Sequence, residues 1–127
     1  MLLGARSIGY SASASGVYIE AEMFRALGIH DVAMAKSKKI LTERVAAVVA
    51  RGEVEIGFQQ VSEIIFVPGA SFVGTLPEPV QRATIFSGGL NAKAQNVEAG
   101  RRLLAYLASP EATAELTRTG LEPLAKS

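Results

Sequence analysis

The chain has no cysteine, a single histidine, no long apolar run and almost no excess of charge of either sign. Each shortage removes a class of function. Without cysteine there are no disulfides and no thiolate metal sites. One histidine, His30, cannot assemble a histidine-based metal cluster, and a Ser-His-Asp triad built around it would have no other support. Following Gly28 and Ile29, His30 reads as a surface loop residue. Lys and Arg number 13 against 12 Asp and Glu and are scattered, so no nucleic-acid footprint is visible. The basic run "KSKK" at 36–39 reads as a solvated loop. The glycines of "GARSIGYSASASG" match neither the G-x-G-x-x-G spacing nor a Gly-Lys-Ser/Thr phosphate loop, which disfavours a nucleotide site. The opening "MLLGARSIGYSASAS" has an apolar stretch of only three residues and does not read as a signal peptide.

What is present is an ordinary globular composition. At 127 residues, 49% hydrophobic and 20% charged, with a mean hydropathy of +0.26, the chain has the length of one domain with a real core. Residues 6–10, "RSIGY", read as a short strand entering the Ser-rich turn "SASASG". "VYIEAEMFRAL" then places apolar residues at 17, 19, 23, 24 and 27, the stripe of an amphipathic helix that Gly28 ends. A second short strand is expected over 31–35, "DVAMA". Thr42 is positioned to cap a helix over about 43–51, with Val45, Val48 and Val49 inward and Gly52 closing it. "VEIGFQQ" reads as a buried strand, followed by a short helix, a Pro-Gly turn and a strand over about 71–75 that Pro77 and Pro79 stop. Another strand is expected from Gln81 through "QRATIFSGG". Two helices follow: one carries Val97, Leu103, Leu104 and Leu107 on a single stripe, and the next restarts at Ser109 and Pro110, where proline suits a first turn. The tail, 121–127, reads as irregular.

The residues that invite chemistry lie at strand and helix ends. Ser11, Ser13 and Ser15 precede a helix start, where unpaired backbone N–H groups and the positive end of the helix dipole favour an anion. Thr42 repeats the arrangement at the next helix. With the two β-turn-α units as parallel neighbours, both helix starts open on one edge of the sheet. The plainer reading has Ser15 and Thr42 capping their own helices. Gln59 and Gln60 end an otherwise apolar strand, which suits a ligand crevice, or equally hydrogen bonds to neighbouring strands and solvent. Tyr18 reads either as a ligand contact or as a core or rim aromatic. Glu53, Glu55 and Glu63 have no base or nucleophile partner at a recognisable spacing and default to surface ion pairs. A hydrolase built on the serine turn would lack its base.

The series "SASGVYIEAEMFRALGI", "VAAVVARGEVEIGFQQVSEI", "VGTLPEPVQ" and "RRLLAYLASPEATAELTRTGLEP" resembles the second half of the periplasmic molybdate-binding proteins of ABC importers, within the type 2 periplasmic binding fold. The likeness covers nearly the whole chain. It implies an α/β fold in which an oxyanion sits between two lobes, held by serine hydroxyls, backbone amides and a tyrosine. Carried over by position, the amides of Ser15 and Thr42 match two family contacts, and the family tyrosine falls on Gln60. Glutamine offers an amide donor and acceptor where tyrosine offers an acidic hydroxyl. The candidate ligand-binding set is Ser13, Ser15, Gly16, Tyr18, Thr42, Gln59 and Gln60.

The resemblance further implies a single truncated solute-binding-protein-like domain over 1–127. A three-layer ligand-binding lobe occupies about 6–80, and a crossing strand with C-terminal helices, which normally pack on an absent first lobe, occupies about 81–127. Leu103, Leu104 and Leu107 would then lack cover, which favours a homo-oligomer. The expected function is a solute-binding module and not an enzyme, taking a small anionic ligand, either a molybdate-like oxyanion or a carboxylate. No cofactor, metal or nucleic acid is expected; an ABC importer permease is the partner and the periplasm the compartment that the family implies. The alternative is an effector or protein-interaction domain of the same fold, indifferent to changes at Ser15 or Gln60.

Overall fold

A computed structural model describes residues 1–124. The chain divides into two compact units, Met1–Arg82 and Ala83–Ser127.

The first unit is built on a parallel three-stranded sheet in the order β2-β1-β3, with β1 at Ile8–Ser11, β2 at Ser37–Ile40 and β3 at Ile56–Phe58. Ile8 pairs with Ser37 on one side and Ile56 on the other; Tyr10 pairs with Lys39 and Phe58. Alternation along β1 sends its residues to two different cores. Ile8 and Tyr10 pack with Ile19, Met23, Phe24 and Ala33, whereas Gly9 faces Val45 and Val54 of the second cluster. An order in which the chain steps from β1 to one neighbour and then back across to the other is doubly wound. Right-handed crossovers then put the connecting helices on opposite faces.

On the first face α1 (Ala14–Tyr18) continues through a π-helical segment (Ile19–Met23) into α2 (Phe24–Ala26), followed by α3 (His30–Met34). Phe24, fully buried, meets Tyr10 and Phe58 edge-on, with ring centroids 6.5 Å and 6.4 Å away. On the second face lies α4 (Val45–Ala50). It packs closely because β1 and β3 present glycines to it: a Cβ on Gly57 would stand 2.7 Å from Val49 Cγ2 and 2.8 Å from Val45 Cγ1. Gly52, at φ 76°, closes α4 in the left-handed conformation that only glycine adopts without strain. The short α5 (Val61–Ile64) follows β3, and a 3-10 turn spans Glu78–Val80.

Several expectations need correction. Residues 31–34 are not a strand but belong to α3, with Ala35 as its C-cap, and His30 is the first residue of that helix, partly buried, its Nδ1 2.9 Å from Asp31 Oδ1. The strand lies further on, over Ser37–Ile40, and takes in most of the run expected to be a solvated loop. Lys36 Nζ donates to the carbonyls of Leu3 and Ala5 at 2.7 Å each, and Lys38 and Lys39 stand exposed on β2, an edge strand whose charges discourage further pairing. No strand forms over 71–75 or, among the described residues, from Gln81 onward. Both stretches carry β-favouring residues, but a strand exists only as a pairing. The neighbour available to 71–75 is the three-residue β3, and among the described residues from Ala83 onward there is no strand to pair with.

The second unit contains α6 (Val97–Leu107) and α7 (Pro110–Arg118). Asn96 caps α6, its Oδ1 accepting from the Ala99 N–H at 3.0 Å. Ser109 links the two helices by donating its hydroxyl to the Tyr106 carbonyl at 2.6 Å. Gly88 and Gly100 lie against the side-chain ends of Leu104 and Leu90. The chain is irregular from Leu121 to Leu124; the rest of the tail expected over 121–127 lies outside the described residues.

Candidate functional site

Parallel strands end together, so the sheet delivers its candidate residues to one edge. After β1 come Ser13 and Ser15, after β2 Thr42, and after β3 Gln59 and Gln60. The winding reverses between β1 and β3, and the crevice outside that reversal is where doubly wound sheets hold ligands. The β1–β3 pairing ends at Tyr10 and Phe58, so Ser11 and Gln59 are the residues that follow it on the two chains. Both side chains fall on the α4 face, as Gly9 and Gly57 do two residues earlier.

The serine turn is not explained by capping. Ser13 is the N-cap of α1 but makes no side-chain cap bond. Instead the three hydroxyls form a chain: Ser11 Oγ to Ser13 Oγ at 2.6 Å, and Ser13 Oγ to Ser15 Oγ at 3.2 Å. Ser11 is buried, at 9% exposure, and the chain leads outward from it. A row of hydroxyls has one proton to offer beyond its internal bonds, and the amides of Ala14, Ser15 and Gly16 in the first turn of the helix point the same way. Gly16 makes this geometry attainable. A Cβ there would collide with the carbonyl oxygen of Ser11, so only glycine lets the helix start this close to the end of β1.

The other candidates have distinct surroundings. Thr42 is exposed and precedes α4 without capping it; Arg44 is the N-cap, also without a side-chain bond. The first turn of α4 is served by Gln59, whose Oε1 accepts from the Ala46 N–H at 3.0 Å. Gln60 is the N-cap of α5. Tyr18 faces elsewhere: its hydroxyl donates to the Val80 carbonyl at 2.7 Å, and the Arg82 guanidinium lies 4.5 Å from its ring centroid. Arg82 also grips both Glu22 carboxylate oxygens at 2.6 and 2.9 Å. No local spacing betrays a clamp whose halves are 60 residues apart.

Two further features escaped the sequence reading. A cavity of about 230 Å³ lies beside β3, with Ala46, Phe58, Gln59, Ile64, Phe72 and Leu76 among its largely apolar walls. On the opposite face, Lys39 Nζ pairs with Glu20 at 2.6 Å and lies 5.9 Å from the Tyr10 ring centroid. The hydrogen bond from Lys39 holds the Glu20 carboxyl below the usual range and raises Lys39 in turn, while burial raises the Tyr10 phenol. Among the described residues no group of three His, Cys, Asp or Glu is placed to hold a metal ion, and no helix is long and apolar enough to cross a membrane.

Comparison with known proteins fits this architecture. Residues 3–122 match the family model of the bacterial extracellular solute-binding proteins. A curated relative, the aconitate isomerase of a Pseudomonas species, is 46% identical over 120 residues, which is 94% of this chain and 46% of the relative. The chain thus spans about half the length of that protein. No solved structure matches. The expectation of a non-enzymatic module is corrected by the relative, which is an enzyme. The coarser expectation of a solute-binding fold with a small ligand stands; the match is to solute-binding proteins in general and adds nothing for molybdate. The chain belongs to the family of bacterial extracellular solute-binding proteins.

Proposed function

We propose that the serine-bearing sheet edge binds a carboxylate group of a small polycarboxylic acid of the aconitate kind, and that the chain supplies one half of the substrate site of an isomerase for such acids. The observation that carries the reading is the 46% identity to aconitate isomerase across 94% of this chain. The geometry supports it. A carboxylate is a planar anion with two oxygens that only accept, and the edge offers a hydroxyl chain and the N–H groups that begin α1. Interconverting isomers about a carbon–carbon double bond requires that bond to lose its order on the way. A base outside this edge would take a proton from the adjacent carbon and a proton would be returned to the allylic system once the bond has turned; in between, negative charge is delocalised onto a carboxylate, where preorganised donors lower the barrier. The role assigned to Ser11, Ser13, Ser15 and the first-turn amides is to bind and to hold that charge. The extracellular family supports the periplasm as the compartment.

Titration of the labelled chain with cis-aconitate, trans-aconitate and molybdate, followed by amide chemical shifts, tests the reading. Shifts at residues 13–16 with either aconitate, and smaller ones with molybdate, are expected. Binding by these residues alone should be weak, since they span about half of the relative. Silence with both aconitates at millimolar concentration would sink it. Self-association through Leu103, Tyr106 and Leu107, exposed on α6, belongs to the same reading, and light scattering that returns a monomer at tens of micromolar removes that part.

A further inference from the structure

We infer that Gln59 is a specificity-determining residue of this edge, donating to the ligand's carboxylate from an amide nitrogen whose direction α4 fixes. The inference rests on the carboxylate reading above. Its basis is the bond from the Ala46 N–H to Gln59 Oε1, at 3.0 Å. A backbone N–H can be received only by the oxygen of a side-chain amide, so this bond decides which end of the group is which. The NH2 end is then the other end of the group, with two protons to give.

The acceptor bond is well anchored. Gly57, two residues before Gln59, has no side chain, which lets Val45 and Val49 settle against the strand and fixes α4 beside it. Ser11, where the hydroxyl chain begins, and Gln59 are the residues that directly follow the last β1–β3 pair, Tyr10 and Phe58. Gln59 is partly buried and lines the cavity beside β3, so its amide meets a confined space and not bulk water alone. An amide whose oxygen already accepts is a stronger donor at its nitrogen, because linked hydrogen bonds polarise one another. Gln59 therefore converts a helix-start amide, which would otherwise point at the sheet edge, into a pair of donors placed further out. A ligand group that only accepts satisfies them; an ammonium or other pure donor does not.

Glutamate separates this role from a structural one. Gln59→Glu keeps an oxygen for the Ala46 N–H and adds the negative charge that a helix start favours, but it removes both donors and repels a carboxylate. Gln59→Met removes the acceptor and the donors together. The experiment is a trans-aconitate titration of the wild-type chain and both variants, following the Gln59 side-chain NH2 resonances and the thermal midpoint. The expected result is that the wild-type NH2 resonances move with those of residues 13–16. Gln59→Glu should bind at least about tenfold more weakly at an unchanged or higher midpoint, and Gln59→Met should lose both affinity and midpoint. Shifts at residues 13–16 with the Gln59 NH2 unmoved, and wild-type affinity in Gln59→Glu, overturn the assignment of Gln59 and leave the carboxylate reading standing. No shift anywhere in the wild-type chain overturns both.

Discussion

The two units hold themselves together by different means. In Met1–Arg82 a sheet is covered on both faces, and Ile8, Met23, Phe24 and Val45 are fully buried. From Ala83 onward Ala112 is the one buried residue among those described, and α6 shows Leu103, at 58% exposure, and Tyr106 to solvent. The glycines repeat the contrast. In the first unit Gly16 presses on a backbone oxygen and Gly57 on β-branched side chains, neither of which can yield; in the second, Gly88 and Gly100 meet only the ends of leucine side chains, which can swing aside. Opening free energy should follow the same division, with the sheet unit at the high end and the helical unit at the low end.

Paired substitutions sharpen or break this comparison. The largest effect is expected at Gly16→Ala, where the new methyl group has no space beside Ser11: about 4 kcal/mol or more, read by urea denaturation followed by circular dichroism. Its counterpart Gly100→Ala, inside α6, should stabilise that helix by up to about 1 kcal/mol. Next comes Phe24→Ala, expected to cost about 3 kcal/mol through the cavity left between Tyr10 and Phe58. Leu103→Ala should stay within about 0.5 kcal/mol. Equal losses at Phe24 and Leu103 would show that the two units share one cooperative core.

Acid gives a smaller and graded effect. In the first unit Arg51 hydrogen-bonds Glu43 and Glu53, Lys39 bonds Glu20, and the Arg6 amide bonds Glu55; each contact holds its carboxyl below the ordinary value. In the second unit Arg118 does this for Glu115. A carboxyl depressed by folding contributes its stability fully above the unfolded value, about 4.3, and loses it as pH falls through the folded one. Thermal midpoints should therefore be flat above about pH 5 and fall below about pH 4, more steeply for probes in the sheet unit. The smallest effect is expected for Arg82→Ala. It frees Glu22 and the face of the Tyr18 ring but leaves the Tyr18–Val80 hydrogen bond, and shows as faster hydrogen exchange over 78–82 with little change in midpoint.

Helices were the readable part of the sequence. The stripe ending at Gly28, the Val45, Val48 and Val49 face, and the restart at Pro110 all rest on contacts within one segment, and each helix formed. The strands at 71–75 and beyond Gln81 were misjudged because pairing partners are not local information. The run "KSKK" misled for the opposite reason: its lysines suit an edge strand as well as a loop, and only the parallel partner β1 decides between them. At the candidate site the serines and glutamines were visible as polar residues where a strand ends. What could not be seen was their division of labour, with Ser13 bonded to its fellow hydroxyls and Gln59 facing a helix it follows by several residues.

The π-helical segment Ile19–Met23 lies between the serine turn and Phe24. Each residue of a helix advances the chain by about 100° around the axis, and a π turn holds one residue more than an α turn. The serine turn is tied to the end of β1, where Gly16 lies against the Ser11 carbonyl, so removing a single residue from the segment would turn Phe24 about 100° away from its core. The segment thus acts as a phase setter: its residue count lets a helix that starts hard against β1 still turn Phe24 into the core.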